Sequence, residues 1–278
     1  MSPVMGKVAR AVADLLIPRK CVVCGRNLLL NENHLCIYCQ ADIPLTYYWQ
    51  RKHNPMANRF NLLIQKWLEG AVQPVDLTEE DFLKEGDPET ADTRKVELYA
   101  YASALFFYNE DSGFSRITQR LKYHGDLPAG RWFGRQLGEK LASACWFEDV
   151  DAVIPVPLHW TRRWSRGYNQ AEILAEEVAH CLGAELRTDI LRRYRRTGTQ
   201  TKLAGEAKWH NVKGAFKVCD KVSESIDDYG LAGVRHLLLI DDVFTTGSTL
   251  MACFTALRTA FPPSVRISVA TLGFVGGG

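Results

Sequence analysis

Leu237-Leu238-Leu239-Ile240-Asp241-Asp242-Val243-Phe244-Thr245-Thr246-Gly247-Ser248-Thr249 is the stretch from which the fold is read. Four aliphatic residues in a row mark a buried strand of a parallel sheet. Two adjacent aspartates end it, and a short loop of Thr, Gly and Ser follows. From Leu250 to Phe261 apolar residues recur at helical spacing, and Pro262-Pro263 stop the run. The pattern is strand, loop, helix. In open α/β sheets, ligands bind beyond the carboxyl ends of such strands.

The residue types set the chemistry. A helix start offers unpaired N–H groups and the positive end of its dipole, so it attracts anions. Gly247 lets the backbone approach a phosphate closely. Thr245, Thr246, Ser248 and Thr249 add hydroxyl donors. Asp241 and Asp242 would repel a phosphate but accept hydrogen bonds from hydroxyls. A ligand that satisfies both halves has a phosphate beside a vicinal diol, as in a ribose 5-phosphate. Neither GxxxxGK[ST] nor GxGxxG occurs at this place, which argues against a nucleotide P-loop or a Rossmann fingerprint. The plainer alternative is a strand-to-helix turn with an incidental cap. Paired acids followed by Thr-Thr-Gly-Ser-Thr count against it.

The stretch resembles the phosphoribosyl diphosphate (PRPP) signature of type I phosphoribosyltransferases: aliphatic strand, two acids, then T-x-G-x-T. The resemblance implies Asp241 and Asp242 on the ribose hydroxyls and residues 245 to 249 around the 5-phosphate. One position departs from the 6-oxopurine enzymes, which carry an Asp just before the T-G pair to handle the proton on the base. Here that place is Thr245, which is no general base at neutral pH. Other type I transferases have Thr or Ala there, so the departure bears on base type.

The chain of 278 residues is 46% hydrophobic and 24% charged, which suits a soluble globular protein of one or two domains. A net charge of +2 is too small to argue for nucleic acid by itself. No apolar run is long enough to span a bilayer. Val4 to Ile17 reads as a short amphipathic helix broken by Arg10 and Asp14, not as a signal peptide. The expected compartment is therefore the cytoplasm, and eight cysteines need a reason other than disulfides. Cys21-x2-Cys24 and Cys36-x2-Cys39, with eleven residues between, supply one. Each pair bends two sulfurs toward one metal, and four thiolates make a closed tetrahedral zinc site. A closed set leaves no open position, so its role is structural or recognitional, and zinc would supply folding energy that a small module lacks. His34 reads as a surface residue. Cys145, Cys181, Cys219 and Cys253 read as small buried apolar residues.

The rest of the chain is punctuated by charge and pattern. Asn58 to Leu68 suits a helix with Phe60, Leu63, Ile64, Trp67 and Leu68 on one side. Leu77 to Asp92 holds seven acidic residues against one Lys and reads as a solvated linker. Tyr99 to Tyr108 suits a strand. Ser112 to Tyr123 suits a helix with Ile117, Leu121 and Tyr123 inward and Arg116, Arg120 and Lys122 on other faces. His124 fits a capping or surface role, and Gly130 to Cys145 reads as a further helix. Asp151 to Pro157 is a short buried strand. After it, Arg162, Arg163 and Arg166 lie among Trp160, Trp164 and Tyr168. Arginine forks hold a diphosphate by bidentate contacts. Aromatics among cations also make a stacking platform for single-stranded nucleic acid. A third reading is an exposed basic loop with its aromatics in the core. Ala171 to Leu182 is an amphipathic helix. Arg192 to Lys202 is a second basic run with the look of a loop, fit to close over the diphosphate, to contact a nucleic-acid backbone, or simply to be solvated. Asn211 to Val218 leads into a strand, and Arg266 to Phe274 is the last one.

Pro-Arg-Lys-Cys-Val-Val-Cys-Gly, the second C-x2-C, Leu-Lys-Tyr-His-Gly-Asp, Pro-Val-Pro-Leu, Arg-Arg-Trp-Ser-Arg-Gly-Tyr-Asn-Gln-Ala, Arg-Thr-x-Thr-Gln-Thr-x-Leu, Asn-Val-Lys-Gly-Ala-Phe and the acidic signature occur in this order. Together they resemble the ComF competence proteins, which join an N-terminal zinc finger to a phosphoribosyltransferase-type domain. The resemblance implies a part in natural transformation, with a DNA-translocating ATPase and recombination mediators as partners. The expected fold is an α/β type I phosphoribosyltransferase-like parallel sheet with flanking helices. The expected layout is a zinc module over residues 1–50, a helical connector with an acidic linker over 51–97, and the sheet domain over 98–278. The expected function is DNA uptake with PRPP and single-stranded DNA as ligands. The alternatives are an active phosphoribosyltransferase, with Mg²⁺ bridging the diphosphate and Arg162, Arg163 and Arg166 aiding its departure, and a PRPP-responsive transcriptional regulator.

Overall fold

The computed structural model describes residues 18–70, 99–194, 214–220, 222, 230–231 and 233–276. The N-terminal helix, the acidic stretch 77–92 and residues 195–202 of the second basic run lie outside the described residues.

Five parallel strands form the main sheet in the order β1-β7-β6-β2-β3: β1 (Ala102–Phe107), β2 (Ala152–Pro155), β3 (Glu185–Leu186), β6 (His236–Phe244) and β7 (Arg266–Phe274). A separate antiparallel ribbon pairs β4 (Leu191–Arg193) with β5 (Phe216–Val218). β6 is flanked by β7 and β2, and 236–240 are all buried. Side chains alternate across it. Leu237 and Leu239 pack with α2 (Pro55–Leu68), α7 (Ser248–Arg258) and the β4-β5 ribbon. Leu238 and Ile240 pack with α3 (Ser115–Tyr123), α4 (Leu127–Ala142) and α6 (Gln170–Leu182). Burial on both faces explains the unbroken aliphatic run. The second cluster also takes in Cys21, Val22, Val23 and Leu35, so the cysteine region shares its apolar packing with the sheet.

Local signals set the helix starts. Asn54 caps α2 by accepting from Ala57 N–H at 2.9 Å, with Pro55 in the first turn, where a missing N–H costs nothing. The same Asn54 amide donates to Ala102 O at 2.9 Å, which ties α2 to the first strand. Asn169 caps α6 and donates to Val156 O at 3.0 Å. The strand and helix expectations around the acidic signature hold, with shifted ends. β6 does not stop at the aspartates but pairs with β7 as far as Phe244. α7 starts at Ser248, inside the run expected as loop, and ends at Arg258, before the prolines.

Three further expectations are corrected. Tyr123 is 72% exposed, because the helix turns its Ile117 and Leu121 face inward and carries Tyr123 outward. Arg192 and Arg193 belong to strand β4, paired with Lys217 and Phe216 of β5, and the ribbon turns Leu191, Phe216 and Val218 into the core. Cys145 is exposed and Cys181 and Cys219 are half-buried; of the four scattered cysteines only Cys253 is a fully buried apolar residue.

Candidate functional site

Asp241 and Asp242 stand near the carboxyl end of β6, where alternate side chains face opposite sides of the sheet. Asp242 is buried and meets Lys122 of α3, with Nζ 2.8 Å from Oδ2. Burial works against the Lys122 ammonium, but Asp242 outweighs it and lifts its pKa. Asp241 accepts from the Asp242 backbone N–H at 2.8 Å. Burial, then the neighbouring Asp242 charge, pushes Asp241 up to about 7, while Lys122 and Arg193 pull the other way. Arg193 has its guanidinium 5.1 Å from the Phe216 ring centre, and burial and then Arg162 lower its pKa. The site is thus a carboxylate pair flanked by cations from two separate elements, Lys122 of α3 and Arg193 of β4.

The loop after β6 leads straight into a helix end. Gly247 has φ +78°, the left-handed region where side chains are strained. A Cβ there would lie 2.7 Å from Phe244 Cζ and 2.9 Å from Leu63 Cδ1. The glycine is therefore required by packing from α2 as well as by φ. Arg59 of α2 donates to Val275 O at 3.0 Å, which holds the next crossing of the chain against the same helix. Thr246 Oγ1 and Ser248 Oγ are 2.7 Å apart, Gly247 at the cap position has no side chain to offer, and Ser248 N–H donates to Thr246 Oγ1 at 3.4 Å. The first N–H groups of α7 face the loop as an anion-binding end. Thr245 and Thr246 are exposed, Ser248 and Thr249 half-buried.

The three arginines lie on a seven-residue helix, α5 (Trp160–Arg166), rather than in a loop. Buried His159 starts it by accepting from Thr161 N–H at 3.3 Å. Arg163 pairs with Glu172 at 3.3 Å. Arg166 donates to Gln170 Oε1 at 2.6 Å and lies 5.5 Å from the Tyr123 ring centre. Arg162 is near enough to Arg193 to act on it electrostatically. Trp160 and Trp164, one helical turn apart, are 70% and 86% exposed, so they are not core residues. Tyr168 is half-buried, and its hydroxyl donates to Leu121 O, which fastens the segment to α3.

The four thiols Cys21, Cys24, Cys36 and Cys39 converge, all sulfurs lying within 4.8 Å of one another. Burial pushes the Cys21 thiol up, but the backbone N–H groups of Cys24, Cys36 and Val23 outweigh it and bring it down to about 7. A thiolate favoured by N–H donors inside a four-sulfur cluster fits a metal ion. His34 stays outside the set, its ring 6.0 Å from that of Trp132.

Lys122 and Arg193 are the residues that sequence spacing misses. The first reads as a residue on another helix face, the second as part of a loop. The one local sign is the place of Lys122 in Leu-Lys-Tyr-His-Gly-Asp, a run quoted for its resemblance only.

No family model matches the chain. It is 28% identical over 242 residues to Competence protein F of Haemophilus influenzae, covering 86% of this chain and 90% of that protein. DNA utilization protein YhgH of Salmonella typhi is 36% identical over 100 residues, 36% of this chain and 40% of that protein. Competence protein ComFC of Streptococcus pneumoniae is 27% identical over 147 residues, 53% of this chain and 57% of that protein. These relatives, and the four-cysteine cluster joined to an α/β sheet, support the resemblance to the ComF competence proteins.

Proposed function

We propose that the chain acts in DNA uptake in the cytoplasm, with PRPP and Mg²⁺ held at the end of β6 and single-stranded DNA on the adjoining face. The observation that carries this is one continuous element: Asp241 and Asp242, the Gly247 turn and the start of α7. Hydroxyl acceptors and an anion-binding helix end stand side by side, as a ribose 5-phosphate requires. Exposed Trp160 and Trp164 beside three arginines offer unpaired bases a stacking surface. No helix among the described residues is long and apolar enough to cross a membrane. The relatives named for competence and DNA utilization point to the same process. Zinc on Cys21, Cys24, Cys36 and Cys39 holds the cysteine turns together.

Calorimetry with PRPP and Mg²⁺ tests the site. Asp241→Ala with Asp242→Ala removes the diol acceptors and leaves the anion end intact. PRPP affinity should fall at least tenfold while inorganic phosphate binds as before. Equal PRPP affinity in the double variant rejects the assignment.

A second reading, transfer chemistry, draws on Lys122 and Arg193 beside the acids, with Arg162 near Arg193, since cations stabilise a departing diphosphate. Diphosphate release from PRPP in the presence of a panel of bases decides between holding and transfer.

A further inference from the structure

We infer that the cleft between the cysteine turns and α3 is a second phosphate-binding site, one that takes the backbone of single-stranded DNA. The inference rests on the DNA reading above and adds a place for the strand. The cleft has a volume of about 330 Å³. Arg116, Gln119, Arg120 and His124 form one wall, and Val22 and Gly25 stand on the other beside Cys21.

Three observations point to an anion. Arg116, Arg120 and His124 are spaced four residues apart, the last just past the helix end, so one face carries them all. No acidic side chain lines the cleft. Arg116 Nη1 donates to Val23 O at 2.6 Å, which fixes its guanidinium against the first cysteine turn. A guanidinium held by one donor keeps the rest of its fork for a phosphate. Arg120 does pair with Asp126, but at 3.4 Å and with its side chain 37% exposed, so the pair is weak and its other donors remain. A metal cation would meet like charge here, and an apolar ligand would meet arginine and glutamine.

Size and continuity choose the ligand. The volume is at the small end of the roughly 300–1,000 Å³ range of ligand sites, enough for a phosphate with part of its nucleotide. α3 spans nine residues, about 13 Å at ~1.5 Å per residue. Arg116 is near its start and meets the cysteine turn; Lys122 is near its end and meets Asp242. Exposed Tyr123, next in the chain to His124 of the cleft wall, has beside its ring Arg166 of α5, the helix that carries the tryptophans. A chain of phosphates with unpaired bases fits this path. A free phosphate makes no use of the aromatic steps.

The test is the salt dependence of binding of a labelled oligothymidylate to the full, metal-loaded chain. Each phosphate contact on a single strand contributes about 0.7 to the slope of log affinity against log salt. Arg120→Gln with His124→Gln should lower the slope by about 0.7, the share of the one guanidinium removed, while PRPP binding stays unchanged. Gln119→Arg, which adds a cation to the same wall, should steepen it by about 0.7. Unchanged slopes in both variants overturn the cleft and leave the DNA reading standing. Absence of oligothymidylate binding by the wild-type chain overturns the DNA reading and the cleft with it. A slope changed equally for duplex DNA overturns the single-strand assignment.

Discussion

Gly25 and Gly247 turn the chain at nearly the same φ, +75° and +78°, yet their surroundings differ. A Cβ at Gly25 would meet nothing within 4 Å. At Gly247 it would lie 2.7 Å from Phe244 Cζ and 2.9 Å from Leu63 Cδ1. The cysteine turns are organised by their donors: four sulfurs within 4.8 Å of one another, all from nineteen consecutive residues. The loop after β6 is closed in by packing from its own Phe244 and from Leu63 of helix α2, nearly two hundred residues earlier in the chain. One region gathers four side chains that could ligate a metal, and the other is closed in by a packed core. They should fail in different ways.

The largest effect is expected at the sulfurs. Cys21→Ser or Cys36→Ser breaks the closed set, and structural zinc binding in small fingers is worth on the order of 10 kcal/mol. Cys21, Val22 and Val23 also pack with the sheet, so part of that loss reaches the main core. Metal analysis should show zinc gone, and the melting temperature should drop by ten degrees or more, on the order of 3–5 kcal/mol for a chain of this size. A variant with full metal content and unchanged melting would mean that packing, not the metal, holds these turns.

The glycines give the direct comparison. Gly25→Ala meets only the left-handed backbone penalty, about 1–2 kcal/mol. Gly247→Ala meets the same penalty and an overpacked wall, which adds about 1–3 kcal/mol. Denaturant midpoints should therefore rank Gly247→Ala well below Gly25→Ala, and only the former should weaken PRPP binding. Leu63→Ala made together with Gly247→Ala should recover part of the loss. Equal midpoints for the two single variants would erase the distinction between the regions.

This distinction also explains what the sequence could tell. Both C-x2-C pairs and the run from Leu237 to Thr249 are legible because their chemistry is local: the donors sit next to one another in the chain. Strand, loop and helix followed from aliphatic residues, acids and glycine in a row. Lys122 was not legible, because its meeting with Asp242 depends on where α3 comes to rest against the sheet. Neither was Arg193, whose strand is defined by pairing with residues twenty-three or more positions later. Tyr123 shows the same limit at a finer scale. Its helix was readable, but the adjacent Lys122 contact and the Leu121 face fix its rotation, and only the packed structure supplies them. The α2 brace is the clearest case: Asn54 announces the helix, yet nothing in residues 55–68 names the glycine that Leu63 covers.

The smallest expected effect lies at the opposite end of β6, and pH reveals it. His236 is fully buried, with Nδ1 2.7 Å from Asp149 Oδ1 and Nε2 2.7 Å from Ser268 Oγ. A carboxylate only accepts, so the neutral ring donates from Nδ1 to Asp149, and Ser268 donates to Nε2. Ser268 Oγ in turn accepts from Tyr101 N–H at 3.1 Å, which completes the chain. Burial lowers the His236 pKa, and the Asp149 contacts offset only part of this. The folded chain therefore resists a proton that the unfolded chain takes up below its ordinary value of 6.5. Stability from this group is full above that pH and is lost as pH falls, until the folded pKa is reached. The slope is at most about 1.4 kcal/mol per pH unit for one proton. Asp149, whose pKa is lowered although burial opposes it, loses its contribution only further down, below 3.8. Urea unfolding between pH 7.5 and 5 should show the first slope, and His236→Gln should flatten it whatever its absolute stability. Zinc content should stay constant in both proteins over the upper part of that range, because the histidine belongs to the packed region and not to the sulfur set. A slope that survives in His236→Gln, or zinc released in step with it, would show that the two regions share one titrating element.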